Sequence, residues 1–82
     1  MNAGLIVLDL HGLTTYQAKT VIDRQLRCAT AATYRLRLIH GYRSGRALAE
    51  MIRRDYRKHP KVLRVELGLN QGETDLVLRD YW

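Results

Sequence analysis

Asp9 and His11 are the first residues in this sequence whose spacing allows acid–base chemistry. They end an apolar run, and side chains two apart on a strand point to the same side, so a carboxylate and an imidazole would lie together. A carboxylate in that place can orient an imidazole that acts as a general base or acid. The same spacing also fits a simpler interpretation, in which Asp9 caps the following turn and His11 has no chemical role.

A second His-Gly pair repeats the first. His11-Gly12 and His40-Gly41 both follow a predicted strand and precede a predicted helix. Glycine lets the backbone turn sharply, and free N–H groups at the start of each helix form a natural phosphate seat. If the two strands are neighbours in register, about 4.8 Å apart, we expect the imidazoles of His11 and His40 to face one cleft. One pair alone signals a turn, but two pairs at matching places favour a functional site.

Positive charge is concentrated in the middle of the chain. The 82 residues include 14 Lys and Arg against 8 Asp and Glu, a net charge of +6, and eleven of the basic residues are arginine. Residues 35–64 hold ten basic and two acidic side chains, a net +8, whereas residues 1–34 have +1 and residues 65–82 have −3. Such a block indicates a polyanion-binding face or a solvated basic helix. Arginine favours phosphate, because its planar guanidinium can bind in a bidentate way.

The candidate binding residues come from the two His-Gly turns and the second helix. Arg46, Arg53 and Arg57 fall within roughly 40° of one another around that helix, on the side opposite its apolar stripe. Tyr42 can stack on an unpaired base, which favours single-stranded or structured RNA over duplex DNA. An acidic protein partner would use the same charge and leave the histidines idle. The residues assigned to nucleic-acid binding are Gly12, Gly41, Tyr42, Arg43, Ser44, Gly45, Arg46, Arg53 and Arg57.

Composition excludes several classes of protein. With 46% hydrophobic residues, 27% charged residues and one proline, the chain has the composition of a globular domain, and we expect one domain over residues 1–82. No apolar run approaches the roughly 18 residues of a membrane span, and the N-terminus lacks a secretory pattern. Cys28 is the single cysteine, and no Cys/His cluster has zinc-site spacing. These features predict a cytoplasmic protein without a membrane anchor or a structural metal.

The first predicted unit is a strand followed by a helix. Residues 5–10 form a nearly continuous apolar run, which predicts a strand that is covered on both faces, as in a parallel sheet. Thr14 with Gln17 forms a capping box, so a helix starts there and frays into a loop at 29–33.

The second half of the chain repeats this unit and adds two strands. Residues 35–40 alternate as a strand, and Ser44 is the predicted N-cap of a helix over about 45–58 that Pro60 ends. Two short strands follow, at 63–67 and 76–79. The order βαβαββ predicts an α/β fold with a mixed four-stranded sheet and two helices. Right-handed crossovers place both helices on one face, and ligands bind at the carboxyl ends of the parallel strands, where both His-Gly turns lie.

Three segments resemble the motifs of one known family, in the same order. Residues 8–14, Leu-Asp-Leu-His-Gly-Leu-Thr, look like the opening motif of the small MutS-related (Smr) domain family. Residues 38–41, Leu-Ile-His-Gly, with Gly45 after them, resemble its second motif, and residues 70–74, Asn-Gln-Gly-Glu-Thr, are similar to its closing Asn-x-Gly segment. The match covers nearly the whole chain, which therefore resembles a stand-alone, bacterial-type Smr domain.

The resemblance implies both a fold and an activity. The fold is a two-layer α/β sandwich similar to the C-terminal domain of translation initiation factor three. The activity is nucleic-acid binding, with endonuclease or nicking activity on RNA or DNA in several members, tied to the motif that here reads Asp9-Leu10-His11-Gly12. The turn with His40 and Gly41 lines the same site. A binding module without catalysis is the alternative, and a divalent metal is left open as a cofactor.

One position departs from the family pattern. The second motif usually continues as His-Gly-x-Gly-x-Gly, but residues 40–45 read His-Gly-Tyr-Arg-Ser-Gly, so Arg43 replaces the middle glycine. A side chain there either adds a phosphate contact or obstructs the approach of the substrate. With RNA, the neighbouring 2′-hydroxyl could attack without a metal, with His11 as base, His40 or water as acid, and Arg43 or Arg46 countering the transition-state charge.

Overall fold

The computed structural model describes residues 4–43, 45–68 and 70–80. In this part of the chain, four strands and two helices follow one another in the order βαβαββ. Their bounds are β1 Leu5–Asp9, α1 Thr15–Cys28, β2 Arg35–Ile39, α2 Arg46–Tyr56, β3 Arg64–Leu67 and β4 Glu73–Val77. The predicted α/β architecture, with a mixed four-stranded sheet and two helices, is confirmed.

The strands lie in the order β1-β2-β4-β3. β1 pairs in parallel with β2, whereas β4 is antiparallel to both of its neighbours. β3 therefore runs parallel to β2, and each helix is a crossover between two parallel strands, a connection that is right-handed in nearly all proteins. The carboxyl ends of β1 and β2 and the start of β4 meet at one end of the sheet. Both His-Gly turns are at that end.

Both helices pack on one face of the sheet and form the second layer. Each helix contributes buried residues at three- and four-residue spacing, the periodicity of one helical face. The strands contribute alternate residues from the same side of the sheet. The buried apolar cluster consists of Leu10, Ala18, Ile22, Leu26, Leu36, Leu38, Leu48, Met51, Ile52, Tyr56, Val62 and Leu76. This arrangement is the two-layer sandwich that the resemblance implied.

β1 is covered on one face only, so the prediction of a strand buried on both faces is wrong. It is an edge strand of the sheet, and Val7, which points away from the helices, is 52% exposed. Because both helices lie on the same side, the described residues form no covering layer on the other side of the sheet. The apolar run of β1 resembles a buried strand in sequence because its outward positions are also apolar.

The two helices begin differently. The capping box predicted for α1 is present, because the Gln17 N–H donates to Thr14 Oγ1 at 3.1 Å and the Thr14 N–H donates to Gln17 Oε1 at 3.0 Å. At α2 the N-cap residue is Gly45, which offers no side-chain cap. The predicted cap, Ser44, lies outside the described residues. Within the described residues, a side chain therefore caps the first backbone N–H groups of α1, and Gly45 gives α2 no such cap.

Several bounds in the second half of the chain differ from the predicted ones: β2 ends at Ile39, β3 begins at Arg64 and β4 ends at Val77. Two further differences concern the end of α2 and the start of β4. α2 ends at Tyr56 rather than near residue 58, and β4 begins at Glu73 rather than at residue 76. β4 starts earlier because its pairing with β2 extends to Glu73 opposite Ile39. This ladder depends on residues far apart in the chain, and the alternation of apolar residues from 76 onward does not reveal it.

Gly45 is the point at which α2 touches the end of β2. A Cβ at this position would overlap the carbonyl oxygens of His40 and Gly41. Both are backbone atoms, which can move only if the strand end or the helix moves with them. The φ of Gly45 is −92°, a value that any residue adopts, so close approach rather than backbone conformation requires the glycine.

Replacing Gly45 with alanine should lower the free energy of unfolding by about 3 kcal/mol, because no rotamer change can relieve overlap with backbone atoms. Gly12→Ala is the matched control, since a Cβ there would meet nothing within 4 Å. Only the positive φ of Gly12 opposes that substitution, at about 1 kcal/mol. Urea unfolding monitored by circular dichroism measures both losses, and equal losses would contradict the contact at Gly45.

Candidate functional site

The end of β1 brings Asp9 and His11 into contact. His11 Nδ1 lies 2.8 Å from Asp9 Oδ1, and the His11 backbone N–H donates to the same oxygen at 3.2 Å. The side-chain hydrogen bond from His11 holds the pKa of the Asp9 carboxyl below its ordinary value. A carboxylate can only accept, so Nδ1 carries the proton and the lone pair of the neutral ring is on Nε2. We call this pair the dyad.

The dyad is open to solvent. The side chains of His11 and Asp9 are 70% and 61% exposed, and Nε2 of His11 has no partner among the described residues. Gly12, which follows His11, leaves open space around its Cα. The arrangement therefore presents an oriented imidazole nitrogen that can accept a proton from a bound molecule.

His40 does not share a cleft with His11, so the prediction that both imidazoles face one site is wrong. The register pairs Asp9 with Ile39 as the last residues of their strands. His11 stands two residues beyond that pair, but His40 stands one residue beyond it, and one residue reverses the face of a sheet. His40 consequently points toward the helices and is only 2% exposed.

Both ring nitrogens of His40 make hydrogen bonds. Nδ1 lies 2.9 Å from the Gly41 carbonyl oxygen, and Nε2 lies 2.9 Å from Thr74 Oγ1. A carbonyl oxygen only accepts, so Nδ1 is the donor, and Nε2 of the neutral ring accepts from the Thr74 hydroxyl. The backbone N–H groups of His40 and Gly41 also donate to the Gly72 carbonyl oxygen, at 3.0 and 3.1 Å. His40 thus ties the turn after β2 to the start of β4 and has no free ring nitrogen.

The predicted phosphate seats at the two helix starts are not equivalent. The sharp turns after β1 and β2 are present, with φ of 81° at Gly12 and 90° at Gly41. At α1, the N–H groups of Thr14 and Gln17 are already bonded within the capping box. At α2, Gly45 supplies no side-chain cap. The two helix starts therefore differ in their side-chain capping, and the phosphate seats stay predictions.

Three arginines of the basic block are paired with acidic residues on the sheet face away from the helices. Arg35 and Arg37 both donate to the buried Asp75 carboxylate, at 2.6 and 3.2 Å. Arg64 donates to Glu66 at 2.7 Å. Hydrogen bonds from Arg64, the larger cause, and from Arg35 hold the pKa of the Glu66 carboxyl below its ordinary value. The acidic end of the chain thus neutralises part of the +8 block.

A group of unpaired cations lies on α2 and the turn before it. Arg46, Arg53 and Arg57 are exposed and form no ion pair with any residue that the structure describes. Arg43 is also exposed and unpaired within the described chain, and Tyr42 beside it is 67% exposed. We call these five residues the basic surface.

Two adjoining cavities lie beside the basic surface. They have volumes of about 410 and 280 Å³ and share His40, Ala49 and Gln71 in their walls. The smaller cavity reaches Gly41 and Tyr42. The dyad lines neither cavity, so the concave part of this end of the molecule lies on the helix side and the dyad lies on the other.

Comparison with known proteins identifies the family. A family model described as the Smr domain matches residues 8–75. The chain belongs to the Smr domain family. Smr domains are nucleic-acid-binding and nuclease-related domains.

One solved Smr domain is similar in structure. The crystal structure of the Smr domain of Thermus thermophilus MutS2 superposes with a TM-score of 0.78 and is 32% identical, covering 92% of this chain and 99% of that one. A search of curated protein sequences finds no match. The match to the family model spans the dyad, the turn after β2 and the start of β4, which are the parts that meet at one end of the sheet.

Residues of β4 and of the loop before it are the part of this Smr domain's site that the predicted set lacks. Thr74 bonds the His40 ring, and Gly72 receives the two N–H groups of the turn. Asn70 Oδ1 accepts the Gly72 N–H at 2.8 Å and so shapes the loop. The closing Asn-x-Gly segment was the signal, but its contact with β2 follows from the antiparallel pairing, which the sequence does not show.

Two further properties concern the whole described chain. Among residues 4–43, 45–68 and 70–80, no group of three or more His, Cys, Asp or Glu side chains is placed to hold a metal ion. Within the same residues, no helix combines the length and the apolar character that crossing a membrane requires.

The neutral His40 ring in this Smr domain should carry its proton on Nδ1, since the Gly41 carbonyl oxygen cannot donate. Long-range 1H–15N correlation spectra should therefore give a protonated-type shift for Nδ1 and an unprotonated-type shift for Nε2. Thr74→Val keeps the shape of the side chain and removes the hydroxyl, so it should move the Nε2 signal of His40 and leave the signals of His11 unchanged. A proton on Nε2 of the neutral His40 ring would contradict this assignment.

Proposed function

We propose that this Smr domain binds single-stranded nucleic acid along the basic surface and cleaves RNA at the dyad. The observation that carries the proposal is the 2.8 Å contact between His11 Nδ1 and Asp9 Oδ1, with Nε2 of an exposed ring left unbonded in the described chain. An imidazole oriented by a carboxylate and free at its other nitrogen is suited to act as a general base. Asp9 and His11 are the proposed catalytic residues.

The proposed reaction is attack by a ribose 2′-hydroxyl on the adjacent phosphorus. His11 Nε2 takes the hydroxyl proton, the bond from O2′ to phosphorus forms, and the bond to the 5′-oxygen of the next nucleotide breaks. Water protonates that leaving oxygen, and the hydroxide so formed takes the proton from His11. The products are a 2′,3′-cyclic phosphate and a 5′-hydroxyl end. Asp9 keeps the ring oriented and stabilises the imidazolium. A proton transfer of this kind contributes roughly 10²–10⁴-fold to the rate.

Of the two candidates for the acid, His40 and water, we propose water, because both ring nitrogens of His40 form hydrogen bonds within the protein. His40 acts instead as a positioning residue that fixes the turn at Gly41. That turn is adjacent to the dyad, since a Cβ at Gly41 would lie 3.8 Å from His11 Cβ. Arg43 and Arg46, in the turn and just after it, are the proposed cations that counter the charge on the phosphate.

Charge supports an approach of the substrate from the α2 side. The opposite side of the molecule, the open face of the sheet, carries three arginines and five carboxylates, a net charge of −2. These are Arg35, Arg37 and Arg64 against Asp9, Glu66, Glu73, Asp75 and Asp80. The basic surface on α2 has arginines free of ion pairs within the described chain. A phosphate backbone is therefore attracted more strongly to α2 than to the open face of the sheet, and it would reach the dyad from the α2 side across the turn at Gly41.

Replacing Arg46, Arg53 and Arg57 together with alanine should weaken binding of single-stranded RNA and reduce the slope of log affinity against log salt by about 2. Each phosphate contact contributes about 0.7 to that slope for single strands. Fluorescence anisotropy with a labelled oligonucleotide at several salt concentrations measures both quantities. Arg64→Gln is the matched control, because Arg64 is also exposed but is paired with Glu66, and it should change neither. An unchanged slope in the triple variant would contradict the assignment.

Asp9→Asn and His11→Asn should each reduce RNA cleavage by about 100-fold, because each removes part of the general base. Both substitutions lie on exposed side chains and should leave RNA binding and stability unchanged. A 2′-deoxy nucleotide before the scissile phosphate should block the reaction, and mass spectrometry of the products should show cyclic phosphate ends. Cleavage that persists in both variants, or that a chelator abolishes, would refute this mechanism.

A binding module without catalysis is the second candidate, and Arg43 is the residue that favours it. Arg43 occupies the place of a glycine in the family's second motif, in the turn next to the dyad. If its side chain obstructs the substrate, the unmodified domain binds RNA without cleaving it, and Arg43→Gly gains cleavage. If Arg43 contacts the phosphate, the same variant loses cleavage, and the first candidate holds.

A further inference from the structure

We infer that the larger of the two adjoining cavities binds one unpaired nucleobase of the bound strand. The inference rests on the proposed nucleic-acid binding and assigns a base-binding site that is separate from the dyad. The cavity has a volume of about 410 Å³ and lies between α2 and the loop from β3 to β4. Pockets for small organic groups have volumes of about 300–1,000 Å³, so one base fits with part of its sugar.

The walls of this cavity are apolar on two sides. Leu67 lies on the helix-facing side of β3, yet it is 76% exposed, and it is not part of the buried core cluster. Ala49 of α2 lines the same cavity, and its side chain is small. An uncovered leucine together with an alanine provides apolar surface for the flat face of a base, whose burial favours binding.

The remaining walls offer polar groups for the edge of a base, and they include the carboxylate of Glu73, whose Oε1 lies 3.9 Å from Arg37 Nε. Gln71 is exposed and presents both an amide donor and an amide acceptor. Arg53 is exposed, belongs to the basic surface and also lines the cavity. The Thr74 hydroxyl donates a hydrogen bond to His40 Nε2, so Thr74 Oγ1 can still accept a hydrogen bond from a group in the cavity. Amide and guanidinium groups are the ones with which proteins hydrogen-bond base edges.

The two adjoining cavities form a groove that leads toward the dyad. The smaller cavity continues from the larger one at His40 and Gln71 and extends to Tyr42 and Gly41. A base in the larger cavity and the next base on the exposed Tyr42 ring would bring the following phosphate to the turn at Gly41. His11 lies directly beside this turn. The occupant is a nucleobase rather than an isolated apolar group because unpaired arginines border the groove and attract its phosphates.

Ala49→Leu tests the site by filling the cavity. Ala47→Leu is the matched control, because Ala47 is exposed on the same helix and lines neither cavity. Fluorescence anisotropy measures the affinity for a short single strand with bases and for a strand of equal length made of abasic residues. Both strands are tested in a ribose version and in a deoxyribose version. The unmodified domain and Ala47→Leu should prefer the strand with bases by about tenfold. Ala49→Leu should lose this preference and keep its salt dependence.

Gln71→Ala is a second variant that leaves α2 unchanged and should lower the same preference. The inference is overturned if the preference for bases survives in both Ala49→Leu and Gln71→Ala. It is also overturned if Ala47→Leu abolishes the preference equally. Either result would leave the proposed function intact. Binding of polyglutamate as tightly as the strand with bases would also overturn the inference, because the occupant of the cavity would then be an acidic peptide. Absence of salt-dependent binding to every strand would overturn the proposed function itself.

Discussion

The close packing of three backbone segments at one end of the sheet is the constraint on which the site depends. The N–H groups of His40 and Gly41 converge on the Gly72 carbonyl oxygen, and the His40 ring joins the same turn to Thr74. Gly45 then packs directly on the carbonyl oxygens of that turn. Because these contacts are made by backbone atoms and one buried ring, the turn has little freedom, and it can hold a neighbouring surface residue in a defined place.

The order of elements could be predicted from the sequence because local signals determine it. The capping box starts α1, and the apolar period of each helix defines its buried face. The roles of the two histidines could not be assigned in the same way. His11 and His40 are followed by the same residue, but the strand register places one in solvent and the other in the core. Register is a property of strand pairing, and the dipeptides themselves carry no information on it.

The net charge of a sequence segment also depends on strand pairing for its meaning, because pairing can join its charged residues to distant partners. The net +8 of residues 35–64 counts Arg35 and Arg37, whose partner Asp75 lies 38 to 40 residues further along the chain. Antiparallel pairing of β2 with β4 brings these residues opposite one another. A count along the chain treats such arginines as free, whereas in the fold they belong to an ion-pair network on the open face of the sheet. Arg46, Arg53 and Arg57 remain unpaired within the described chain, and helical spacing alone was sufficient to group them.

The position of the dyad relative to the groove bears on which substrates fit. The groove lies on the helix side of the sheet end and the dyad on the open side, with the turn at Gly41 between them. A strand that occupies both must bend around this turn within a few nucleotides. Duplex DNA has a persistence length of about 150 base pairs and resists such a bend, whereas a single strand with unstacked bases bends freely. The proposed single-stranded substrate therefore has two reasons in its favour. The exposed Tyr42 ring can stack on an unpaired base, and the bend around the turn at Gly41 requires a flexible strand.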